Sequence, residues 1–199
     1  EKISNYDSDK LYKVLSDFLN IYIEWVKNLS IKKETNLNDD ERKFAEFNIN
    51  KCSQVIERIR ESIDFLKLDT DFRNAFQLAN QAIYEQNSWN KDSNSFKWRP
   101  FQMAFILLVL ESFIDNDRKS KSIVDLLWFP TGGGKTEAYL CVISFLLFKS
   151  SFKSQKVDDP GTQILIRYTL RLLTTQQFER ASAVILASES IRKKSKFCH

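Results

Sequence analysis

Residues 125–140 read DLLWFPTGGGKTEAYL, and three of the chain's four glycines stand together in it, at 132, 133 and 134. In a chain of 199 residues so poor in glycine, such a run is a local demand of the backbone: something must approach it more closely than a Cβ allows, or a positive φ is needed. The stretch before it, SIVDLLWF, is β-branched and aromatic and stops at Pro130. The stretch after it, TEAYLCVISFLLFK, reads as a helix. Strand, glycine turn and a helix opening on Lys-Thr is an arrangement that holds a polyphosphate. In it Gly132, Gly133 and Gly134 let successive N–H groups face the β-phosphate, and Lys135 brings a point charge to the β- and γ-phosphates. Thr136 offers a hydroxyl to Mg2+, and the helix N-terminus adds its partial positive charge. Lys135 and Thr136 are the expected catalytic pair, Thr131 and Glu137 complete the nucleotide-binding set, and ATP with Mg2+ are the expected cofactors.

Beyond this helix, DDPGT reads as a turn, QILIRY as a strand and LLTTQQFERASAVILASESIRKK as a helix. The alternation predicts an α/β fold with a parallel sheet. Upstream, RPFQMAFILLVLESFI is a largely buried helix, preceded by the polar linker EQNSWNKDSNSFKW. Residues 1–90 read as an α-helical N-terminal domain and 91–199 as an incomplete ATP-binding domain. The first helix has Leu11, Leu15, Phe18, Tyr22, Trp25 and Leu29 on one face; the second opens with a capping box, Asn38 and Glu41, and buries Cys52, Val55, Ile56, Ile59, Ile63 and Leu66. The third, from about Asp71, carries Phe72, Ala75, Phe76, Ala79 and Ile83.

Composition narrows the class. With 43% hydrophobic residues a packed core is available, while the longest uncharged apolar runs fall well short of a bilayer span, so no membrane partner is expected. The charged N-terminus EKISNYDSDK lacks a signal-peptide apolar region, and a cytoplasmic location follows by default. Three scattered cysteines form no C-x-x-C pair, and the adjacent Cys198 and His199 lack the two further ligands a zinc site needs. The net charge of +4 is uneven: residues 1–97 hold 15 basic and 17 acidic side chains, residues 98–199 hold 15 and 9. A basic second half suits contact with phosphates.

The strict pattern G-x-x-x-x-G-K-[ST] is missed at its first glycine, where Phe129 stands. PTGGGKT resembles instead the P-T-G-x-G-K-T form of superfamily 2 helicases. WRPFQ resembles their R-P-x-Q element, which implies that Gln102 reads adenine through one donor and one acceptor, with Arg99 close by. TLRLLTTQ resembles the motif Ia form P-T-R-E-L-A-x-Q, departing from it at Thr169, Leu170 and Leu172; the likeness implies that Arg171 and Gln176 contact the backbone of a bound single strand. FRNAFQLANQAI, RPFQMAFILL and IRYTLRLLTTQQFERA extend the likeness over roughly residues 70–195, to the helicase branch found in DISARM phage-defence systems. The resemblance implies the first part of a RecA-like domain, an ATP-driven helicase or translocase acting on nucleic acid, with DNA expected, and partner proteins of a defence system. The acidic box such enzymes need is missing; its nearest candidate, Glu189 in SAVILASES, continues a helical pattern. Weak nucleotide binding and little hydrolysis are therefore expected of this segment alone. A small-molecule kinase would place the loop near its N-terminus, and a non-catalytic interaction module would not need Lys135 and Thr136 intact.

Overall fold

Asn38 opens the second helix by the capping box the sequence predicts. Its side-chain oxygen accepts the Glu41 N–H, and the Glu41 carboxylate accepts the Asn38 N–H, each at 2.9 Å. Because Asn38 is exposed, its replacement by alanine removes the cap and little packing, so Asn38→Ala should cost about 1 kcal/mol in a denaturant titration. The computed structural model describes residues 2–32, 37–89, 96–114, 123–130, 134–153, 162, 164–167 and 171–195. These form α1 (Ser8–Lys32), α2 (Asp39–Leu68), α3 (Thr70–Ser88), α4 (Pro100–Leu110), α5 (Lys135–Lys153) and α6 (Arg171–Lys194), with 3-10 turns at Ile3–Asn5 and Glu111–Phe113. They divide into two compact units, neither continuous in sequence.

One unit takes in Tyr6–Asp69 and Leu107–Leu126. Here α1 packs along α2, burying Leu11, Leu15, Leu19 and Val26 against Ile56, Ile59, Ile63 and Leu66. The seam on α1 therefore turns one residue away from the predicted Phe18, Tyr22, Trp25 and Leu29. Aliphatic side chains fill it, while Tyr22 is half-buried, stacked on a Trp25 that is 51% exposed. Cys52 and Val55 are likewise half-buried. Between Ile56 and Ile59 on α2, the Arg58 guanidinium grips Asp125 with two bonds, Nη1 to Oδ1 at 2.6 Å and Nη2 to Oδ2 at 2.8 Å, and donates Nε–H to Glu111 Oε2 at 3.1 Å. Hydrogen bonding to Asp125 holds this guanidinium still more firmly protonated.

The other unit takes in Glu1–Asn5, Thr70–Ile106 and Leu127–His199. α3 packs against α5 and α6, and its predicted face is buried in full: Phe72, Ala75, Phe76, Ala79 and Ile83. Phe72 meets Phe145 of α5 edge-on at 4.9 Å. Between α5 and α6 the buried hydroxyls of Ser144 and Ser188 satisfy each other at 2.8 Å. Burial also pushes the Cys141 thiol well up, which keeps it protonated and inert. α3 runs on to Ser88, into the stretch expected to be linker.

The α/β expectation is overturned: among the described residues every regular element is a helix, and there is no strand or sheet. Neither expected strand is one where it is described, at 123–130 and 164–167. A strand of a parallel sheet is buried on both faces and has its N–H and C=O groups in ladders. Val124, Leu126, Trp128 and Leu165 are instead 92%, 84%, 88% and 78% exposed. Side chains engage the first segment: Arg58 takes the Asp125 carboxylate, and the Phe129 and Pro130 carbonyls accept from Lys135. The RecA-like sheet falls with the strands.

Candidate functional site

Pro100 stands at the first position of α4, where its missing N–H is not needed, and this places Gln102 in the first turn. Gln102 is 3% exposed, and both ends of its amide are engaged. Oε1 accepts the Arg99 N–H at 2.8 Å, and Nε2 donates to the Gly134 carbonyl at 2.6 Å. This amide is what comes so close to Gly134. A Cβ on Gly134 would stand 2.8 Å from Gln102 Nε2, and Gly134 has φ +88°, so both steric reasons for glycine hold at this position.

α5 begins at Lys135. Its ammonium folds back onto the carbonyls of Phe129 and Pro130, the second at 3.1 Å. The Phe129 ring, standing where the phosphate-loop pattern has its first glycine, stacks on Phe101 with centroids 3.8 Å apart. Thr136 is half-buried in the first turn of α5. Glu137 follows; its Oε1 accepts from Arg180 of α6, while its Oε2 is buried with no hydrogen-bond partner among the described residues, 3.4 Å from the place of a Gly134 Cβ. Gly134, Lys135, Thr136, Glu137, Gln102 and the backbone of Arg99 thus come together around one helix start.

Thr131, Gly132 and Gly133 lie outside the described residues, as do Cys198 and His199. Arg171 opens α6, and its side chain also lies outside them; Gln176 is exposed on the same helix. The Glu189 carboxylate is held below its ordinary range by the Arg192 guanidinium, a part-buried pair within α6, in keeping with the helical reading of SAVILASES. Among the described residues no group of acidic, histidine or cysteine side chains could hold a metal, and no helix is long and apolar enough to cross a membrane. Arg180 is the residue sequence reasoning missed; the available signal was its position four residues beyond Gln176, on the same side of a helix.

No protein-family model matches the chain. It is 40% identical over 201 residues to the DISARM protein DrmA of Bacillus paralicheniformis, in an alignment that takes in 91% of this chain and 18% of that protein. The chain thus spans less than a fifth of that relative's length.

Proposed function

We propose that the glycine run and the start of α5 bind the phosphates of ATP, and that this segment is the nucleotide-binding part of a DNA helicase or translocase serving in defence against phage. The observation that carries the reading is the placement of Lys135. A cation at a helix N-terminus faces the positive end of the macrodipole, an arrangement that does not stabilise the helix and that favours an anion as ligand. Two backbone carbonyls hold the ammonium, contacts that phosphate oxygens can replace with stronger, charge-assisted bonds. The positive φ of Gly134 suits the turn of a phosphate-binding backbone, although the Gln102 amide covers the place of its Cβ. Similarity to the DISARM protein supports the defence setting. Thr136 would hold Mg2+, whose chemistry there is to neutralise phosphate charge. To read adenine, the Gln102 amide has to release Arg99 or Gly134, so Gln102 serves as a clamp on the turn whenever it is not reading the base.

The test is titration of the longest natural chain containing this segment with a fluorescent ATP analogue, beside Lys135→Ala. The variant should bind at least about tenfold more weakly with helicity unchanged. Equal affinity in the two proteins sinks the assignment. ATP hydrolysis stimulated by single-stranded DNA is expected of the same chain, and turnover indifferent to DNA and RNA would favour a kinase-like ATPase.

A further inference from the structure

The Arg180–Glu137 ion pair joins α6 to the first turn of α5. Arg180 lies one turn beyond Gln176 on one side of α6. A guanidinium carries five N–H donors; among the described residues Arg180 spends one, on Glu137, and 34% of its side chain is exposed. The carboxylate it holds turns its other oxygen, which has no partner among the described residues, to Gly134. One side chain therefore reaches solvent beside a candidate strand-binding residue and, through a single carboxylate, the glycine run.

We propose that Arg180 is a positioning residue shared between two anions, the Glu137 carboxylate and a backbone phosphate of a single DNA strand lying on α6. This deepens the nucleotide and strand reading above and rests on it. Charge sets the sign of the effect. A strand phosphate that draws the guanidinium off Glu137 leaves a bare carboxylate beside Gly134 and Lys135, and that charge repels a triphosphate. Strand binding then weakens ATP binding through this pair, and by linkage ATP weakens strand binding by the same factor.

The experiment uses the longest natural chain and two titrations, a fluorescent non-hydrolysable ATP analogue with and without oligo-dT, and labelled oligo-dT across a salt series. In the unsubstituted protein the nucleotide Kd should rise about fivefold or more when oligo-dT is present. Glu137→Gln should bind nucleotide more tightly without the strand and show no such rise. Arg180→Gln should also lose the rise, and its salt slope for oligo-dT should shrink by about 0.7, the share of one phosphate contact on a single strand. Arg180→Lys keeps the charge and should keep the slope, and circular dichroism on each variant separates these effects from unfolding. A rise that persists in Glu137→Gln or Arg180→Gln overturns the proposal, as does an unchanged slope in Arg180→Gln or no rise in the unsubstituted protein. If the unsubstituted protein binds no nucleotide even without the strand, the nucleotide reading itself has failed, and the coupling falls with it.

Discussion

Arg58→Ala is expected to lower the stability of its unit by about 3–5 kcal/mol, the cost of leaving buried carboxylates without their cation. The side chains of Arg58, Glu111 and Asp125 are only 15%, 5% and 16% exposed, so water cannot take over the solvation of the two acids. Arg58 also donates to the Leu108 carbonyl at 3.3 Å, which loses a partner in the same substitution. Arg58→Lys should recover only part of the loss, because a point-like ammonium cannot reproduce the two-pronged grip on Asp125 and the Nε bond to Glu111 together. Chemical denaturation of the three proteins measures both steps. A loss below about 1 kcal/mol in the alanine variant would place the network in the class of exposed, weak pairs and refute its burial.

Gly134→Ala is expected to cost about 2–5 kcal/mol, as two separable effects. An alanine held at φ +88° is strained by about 1–2 kcal/mol. Its methyl group also meets Gln102 Nε2 at 2.8 Å, which forces a buried amide off the Gly134 carbonyl and leaves a donor unsatisfied at about 1–3 kcal/mol. The double variant Gly134→Ala with Gln102→Ala separates them, since removing the amide relieves the contact and leaves the backbone strain. Non-additivity of at least about 0.5 kcal/mol is expected for residues in such contact. Additive losses, or a single variant as stable as the parent, would show that Gln102 does not occupy the space above Gly134.

Much of the candidate site was legible because its requirements are local. Three glycines before Lys135 and Thr136 mark a turn feeding a helix, and α5 does begin at Lys135. Pro100 at the start of α4 and Gln102 in its first turn follow from two residues. What the Gln102 amide touches was not legible, because its partner Gly134 is 32 positions away and the choice between base and backbone depends on packing. The strand readings failed for a related reason. An apolar, β-branched run such as SIVDLLWF reports only a preference for burial beside other strands, and in this chain no ladder forms for its described residues.

By itself the amino-acid sequence determined the helix starts, the capping box at Asn38, the buried face of α3 and the position at which the backbone turns, because each depends on residues within a few positions of one another. Tertiary structure alone decided that Leu19 and Val26, rather than Phe18 and Trp25, line the seam of α1. It likewise decided that Arg58 answers Asp125 across 67 positions, and that Glu137 is held by Arg180 across 43. These pairings are long-range: the free energy of a buried charge or a packed side chain depends on which neighbour arrives, and that is a property of the folded chain rather than of any stretch within it.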